Sequence, residues 1–282
     1  MNTIAIIGAG MMGASLGLAL KKRGVPVRIH AFARRAEART QLLACSAADS
    51  VFDSAPAAVK NANIVVFCAP VLSIPALVKE CRTALSAGAI LTDVGSTKSC
   101  LHQLIPAALT GRNDLHYIGS HPVCGSEQQG VNAGDADLFA GALTIVTPDN
   151  AAPEHIEKVI ALWKSTGSKT VTMSADKHDE ILAATSHLPH VTAAALVLTA
   201  NAAGEFAGSG FRDTTRVAGG APQIWSDIVR TNTPPLKNVL AELRRNLDAF
   251  EQLLDSGDEE KITAWFAAAR EKRNKLLIPN EH

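Results

Sequence analysis

Residues 4–35 constrain this chain more than any other stretch. Residues 4–7 (Ile-Ala-Ile-Ile) are a short apolar run, as a parallel strand buried on both faces would be. Gly8, Gly10 and Gly13 follow at once, and Met12, Leu16 and Leu20 then recur at helical spacing. Val27–Phe32 reads as a second strand and closes a stretch of βαβ length. The three glycines have separate physical tasks: the first makes the turn, the second lets a pyrophosphate touch backbone, and the third lets helix pack on strand. The phosphates then sit at the positive end of the helix. A tight turn with no ligand is the bland alternative, but strand, helix and second strand are all in place. The candidate cofactor residues here are Gly8, Gly10, Met11, Met12 and Gly13. An NAD site usually carries an acidic residue at the end of the second strand, to bind the ribose 2′-hydroxyl. This chain has Ala33, Arg34 and Arg35 there. Two guanidiniums suit a 2′-phosphate, so NADP is expected, with NAD as the alternative; a solvated helix start is the dull reading of the pair.

Strands and helices alternate up to about residue 173. Residues 63–68, 89–92, 143–146 and 170–173 read as strands, and 37–48, 74–85 and 99–109 as helices. That alternation predicts a mostly parallel α/β sheet with ligands at the strands' carboxyl ends. Ala69 and Asp93, which follow or end two such strands, complete the expected cofactor set. After Ser174 strand-like runs vanish. Leu236, Val239, Leu240, Leu243, Leu247, Phe250, Leu253 and Leu254 then share one helical face. The expected organisation is a Rossmann-type domain over 1–173 and an all-helical domain over 174–282, the latter binding substrate and making a homodimer.

Composition narrows the partners. Lys plus Arg and Asp plus Glu number 27 each in 282 residues, so no net field draws the chain to nucleic acid or an anionic membrane. No stretch reads as long and apolar enough to span a bilayer. Met1 leads straight into the first strand, so no leader is expected. Five scattered cysteines without CxxC spacing fit a reducing cytoplasm. No metal site is expected.

Four further stretches fall where a cleft facing the cofactor should be: 93–98 (Asp-Val-Gly-Ser-Thr-Lys), 121–127 (His-Pro-Val-Cys-Gly-Ser-Glu), 186–190 (Ser-His-Leu-Pro-His) and 210–216 (Gly-Phe-Arg-Asp-Thr-Thr-Arg). Singly, each has a dull reading: a structural histidine, a proline-started helix, a surface ion-pair cluster worth little. Together, and in this order, they resemble prephenate and arogenate dehydrogenases, the enzymes of tyrosine synthesis. Leu138-Phe139, Thr147-Pro148 and 222–228 with Asn232 add to the resemblance, which covers residues 3 to about 275.

The resemblance implies an oxidative decarboxylation in which a hydride leaves the ring carbon bearing the 4-hydroxyl and the ring carboxylate departs as carbon dioxide. It also implies roles. His121 would be the general base, a task imidazole suits. Ser96 would hold the same hydroxyl or orient His121. Arg216 would grip a substrate carboxylate with its planar fork, with Arg212 a lesser candidate. His190 and Ser186 would contact substrate, and Glu127 would gate the site or tune His121. Val123-Cys124 and Gln128-Gln129 depart from the residues usual in relatives, and the second pair lies near the expected side-chain end of the substrate. Two other readings stand beside this one: a Rossmann oxidoreductase of the β-hydroxyacid dehydrogenase type, and a non-catalytic NADP-binding regulatory protein.

Overall fold

The computed structural model describes residues 2–125, 128–200 and 204–277. The chain divides into two compact units, Met1–Thr233 and Pro234–His282.

The first unit is built on a six-stranded parallel sheet of order β3-β2-β1-β4-β5-β6, formed by β1 (Asn2–Ile7), β2 (Val27–Phe32), β3 (Ser50–Phe52), β4 (Ile64–Phe67), β5 (Ile90–Asp93) and β6 (His116–Tyr117). Helices α1 (Met11–Lys22), α2 (Ala36–Ala44), α3 (Ala55–Val59), α4 (Ile74–Cys81) and α5 (Ser99–Ala108) connect them. β1 shows why this stretch becomes a central strand. Ile4 and Ile6 enter the core on one face, Ala5 and Ile7 the core on the other. Both faces are thus buried under helices, as a parallel sheet requires. The strand order reverses beside β1, so the crevice beyond the carboxyl ends of β1 and β4 is where a dinucleotide belongs in such a sheet. Three-residue β3 escapes sequence reading because it is too short to show a period.

The chain does not form one sheet. β7 (Gly119–Val123), β8 (Leu143–Thr147) and β9 (Lys169–Thr172) make a second, three-stranded sheet, with β7 antiparallel to β8 and α6 (Pro153–Ser165) between β8 and β9. Gly119 permits the change of sheet: a Cβ there would lie 2.4 Å from Thr147 Oγ1, so the crossing needs a bare backbone.

All-helical structure follows: α7 (Ala175–Leu182), a π-helical turn (Ala183–His187), α8 (Leu188–Thr199), α9 (Ser209–Thr215) and α10 (Pro222–Thr231). The run Ala175–Thr199 is continuous, and an 18-residue window within it has a mean hydropathy of 1.5, enough to cross a bilayer by length and composition only. This corrects the sequence reading that no such stretch exists. The polar Ser-His-Leu-Pro-His motif interrupts the run to the eye without ending the helix. Its first half is committed elsewhere, because Asp179 on α7 accepts the Lys98 and Ser99 amides at 2.8 and 2.9 Å and so caps α5.

The second unit is a helical hairpin, α11 (Thr233–Ser256) and α12 (Glu259–Leu276). Gly257 makes the turn with φ +61°, and Asp258 caps α12 by accepting the Lys261 amide at 3.0 Å. Phe250 meets Trp265 and Phe266 across it, with ring centroids 4.7 and 5.6 Å apart. The predicted apolar stripe is there, but Leu247 and Leu254 remain more than half exposed and α12 buries no residue.

Candidate active site

A cavity of about 590 Å³ opens at the carboxyl ends of the central strands. Gly10, Met11 and Met12 line it from the start of α1, Cys68 and Ala69 from the end of β4, Gly95 and Ser96 from the end of β5, and His121 and Val123 from β7. Ser186, His190, Arg216 and Trp225 close the far side from the helical region.

The glycine turn has the shape a pyrophosphate needs. Gly8 has φ +87°, and a Cβ on it would come within 3.2 Å of the Cys68 backbone. A Cβ on Gly13 would lie 2.8 Å from Ile6 Cγ2, so this residue lets α1 sit down on β1. Gly10 faces open space, with nothing within 4 Å, and its neighbours are helix-start amides with no side-chain cap. Bare backbone meets the positive end of α1 there, which fits a dinucleotide phosphate. Arg34 and Arg35 are exposed at the end of β2. Asp93 does not line the cavity. It is fully buried and ion-paired with the equally buried Lys98. Its carboxylate also accepts from the Gly95 amide (2.8 Å), the Tyr117 hydroxyl (2.9 Å) and the Ser120 amide (3.2 Å). With both oxygens committed, it braces the strand that carries His121. Lys98 completes the brace by donating to the Ser120 carbonyl at 2.8 Å.

His121 is the centre of the polar chemistry. Its Nδ1 lies 2.8 Å from His178 Nε2, and His178 Nδ1 lies 2.8 Å from Asp179 Oδ1. Donors and acceptors must alternate along this chain, which fixes the tautomers. An ionised Asp179 only accepts, so His178 carries its hydrogen on Nδ1 and accepts at Nε2. His121 then donates from Nδ1, which leaves the lone pair on its Nε2. The charges agree. Burial, then His178 and Lys98 beside it, hold His121 well below the ordinary imidazole range. Burial also lowers His178, against the pull of Asp179. Burial raises the Asp179 carboxyl, but hydrogen bonds from His178 and from the Ser99 and Lys98 amides outweigh it and hold it low. At neutral pH the array is carboxylate, neutral imidazole, neutral imidazole, with an acceptor at its end.

The helical side is tied to the same array. Asn232 donates to the Asp179 carbonyl at 2.8 Å and lies 2.9 Å from His187 Nδ1, while Thr97 shares a hydroxyl contact of 2.8 Å with Thr231. The π-helical turn at Ala183–His187 adds a residue to the helix, as such turns often do at functional sites. It buries His187 while Ser186 and His190 reach the cavity. His190 donates from Nδ1 to the Ser186 carbonyl at 3.0 Å and stacks on Trp225 with ring centroids 3.4 Å apart. Burial lowers its pKa, and Arg216 lowers it further.

The structure therefore gathers Ser96, His121, Ser186, His190 and Arg216 around one cavity with Gly10, Met11, Met12 and Ala69. Arg212 is exposed on α9 and does not line it. Glu127 lies outside the described residues. His178, Asp179 and Trp225 were missed as site residues. His178 stands 57 residues from His121 in sequence, and the His-Asp pair just after the helix-capping Ser174 was its only local signal.

Residues 16–172 match the family described as prephenate dehydrogenase, nucleotide-binding domain, and residues 174–268 match prephenate dehydrogenase, dimerization domain. The chain is 32% identical to the cyclohexadienyl dehydrogenase of Zymomonas mobilis, over 99% of this chain and 97% of that protein. Among solved structures it is similar to the prephenate dehydrogenase of Aquifex aeolicus in complex with hydroxyphenyl propionate and NAD+, with TM-score 0.89, 26% identity and 98% of each chain covered. It is also similar to Synechocystis arogenate dehydrogenase, with TM-score 0.83, 27% identity, and 98% of this chain and 100% of that one covered. A Rossmann cradle, a neutral histidine aimed into the cleft and a helical region bearing Ser-His-Leu-Pro-His thus meet in a chain that belongs to the prephenate dehydrogenase family.

Proposed function

We propose that His121 is the general base, and NADP the preferred oxidant, of the reaction this family performs: oxidative decarboxylation of prephenate, arogenate or both on the way to tyrosine. The observation that carries the proposal is the Asp179–His178–His121 array, which sets a neutral imidazole with its lone pair on Nε2 in the cleft.

A bound nicotinamide supplies the hydride acceptor. His121 Nε2 accepts the 4-hydroxyl proton as the adjacent C–H bond gives up its hydride. The bond from the ring to its carboxylate then breaks, carbon dioxide leaves, and its electron pair makes the ring aromatic. The proton held by His121 returns to the phenolic oxygen, so the enzyme ends as it began. Positive charge on His121 during this interval is stabilised by His178, and through it by Asp179. Ser96, half-buried on the cavity wall, holds the hydroxyl in line. Arg216 offers a planar fork to a carboxylate, and His190 and Ser186 form the adjoining wall. Cofactor selection rests on Arg34 and Arg35, with no acidic residue at the end of β2. A substrate-binding and dimerising role for residues 174–282, in a cytoplasmic homodimer, belongs to the same proposal. The exposed Leu247 and Leu254, which a second copy would cover, support it.

His121→Asn tests the assignment. Turnover should fall by about 10²–10⁴-fold while NADPH binding, read by fluorescence titration, stays as in the wild type. Unchanged turnover would remove His121 from the mechanism.

A further inference from the structure

We infer that Arg39, on the first turns of α2, is a determinant of NADP over NAD selection: it pins the backbone that presents Arg34 and Arg35 and adds a third guanidinium to the 2′-phosphate subsite. This rests on the NADP reading above. Arg39 Nη1 donates to the Ala33 carbonyl at 3.0 Å and to the Arg34 carbonyl at 2.9 Å. Those carbonyls lie just past the carboxyl end of β2, where the adenosine ribose of a dinucleotide is held in this sheet type. One nitrogen of the fork therefore fixes the turn. Its Nη2 and Nε make no hydrogen bond or ion pair among the described residues. None of Arg34, Arg35 and Arg39 has a carboxylate within ion-pairing distance among the described residues.

Three cations without a counter-ion concentrate a positive field at this turn, which attracts an anion. Glu37, exposed in the first turn of α2, is the nearest carboxylate in sequence and pairs with none of them. The nine-residue α2 starts at Ala36 with no side-chain cap, so its first amides add to the positive field. A ribose 2′-hydroxyl asks for an acceptor, and the side chains of Arg34, Arg35 and Arg39 offer donors only. A 2′-phosphate asks for donors, and a guanidinium clamped by two carbonyls is already oriented for it.

The test is the dissociation constant of NADPH, NADH and 2′,5′-ADP for the full chain and for Arg39→Met and Arg39→Lys, by fluorescence or calorimetry, with a thermal melt of each. A lost charge-assisted hydrogen bond corresponds to about a 10- to 100-fold loss. Arg39→Met should weaken NADPH and 2′,5′-ADP by that factor and leave NADH within about twofold, with Arg39→Lys between. A variant that melts early and weakens both dinucleotides equally would show that Arg39 only braces the turn, and would overturn the inference. If the wild type itself held NADPH no tighter than NADH, the NADP reading would fall, whatever Arg39 did. If the wild type preferred NADPH and Arg39→Met kept that preference, Arg39 alone would be excluded.

Discussion

Replacing His178 with Leu removes the acceptor for His121 Nδ1–H and should slow turnover without touching the cofactor cradle. In the resting enzyme this bond joins two neutral rings 2.8 Å apart. When His121 takes the hydroxyl proton, the same bond becomes charge-assisted, and such bonds contribute about 1.5–3 kcal/mol. That difference appears only as the reaction proceeds, so it falls on kcat. A neutral bond contributes about 0.5–1.5 kcal/mol, so the difference is about 1–1.5 kcal/mol and, at about 1.4 kcal/mol per decade, the expected loss is about 5- to 12-fold. Leucine also leaves a buried Nδ1–H unpaired or lets the ring turn to its other tautomer, which adds to the loss. The assay is steady-state nicotinamide reduction by four proteins: wild type, His178→Leu, His121→Asn and the double variant. Because His178 acts through His121, the double variant should be no slower than His121→Asn alone. Two results would refute the reasoning: turnover of His178→Leu within about twofold of wild type, or multiplicative losses in the double variant. NADPH affinity should be the same in all four, which separates a positioning defect from a folding defect.

Two other perturbations test the packing around the site and under α1. His187 is fully buried, and burial, only partly offset by Asp179, brings its pKa to about 4. The unfolded chain therefore binds this proton near pH 6.5 and the folded chain only near 4. Stability should fall as pH drops through that window, by about 3 kcal/mol in all, as measured by urea unfolding at a series of pH values; a flat profile between pH 6.5 and 4 would contradict the burial of these histidines. Gly17 is the second site: a Cβ on it would sit 1.9 Å from the Ala47 carbonyl oxygen. Gly17→Ala should cost about 1–3 kcal/mol by overpacking α1 against the chain after α2, visible as a lower melting temperature, although alanine is the better helix former.

What could be read in advance was local. The βαβ start is legible because its strand, glycines and helix are neighbours in sequence, and each has a distinct period. The Ser-His-Leu-Pro-His and Gly-Phe-Arg-Asp-Thr-Thr-Arg stretches are legible because their residue types cluster. The second sheet was not, because antiparallel pairing of β7 with β8 depends on a crossing at Gly119 that no period reports. The partners of Asp93 were hidden for a related reason. At a strand's carboxyl end it reads as a ligand, but the Lys98 ammonium, five residues on, folds back and claims it. His178 and Asp179 carry no motif, and only the tertiary fold brings them to His121. Polar residues that act through another residue leave the weakest trace in sequence, because their partners are set by packing.

The most direct measurement is nicotinamide reduction by the purified protein in four reactions, prephenate or arogenate, each with NAD or NADP. The account predicts turnover with at least one of the two substrates, and faster with NADP than with NAD at equal concentration. Faster turnover with NAD would contradict the reading of Arg34, Arg35 and Arg39. Silence in all four, from folded protein that still binds cofactor, would contradict the assignment of the cleft around His121 to this reaction.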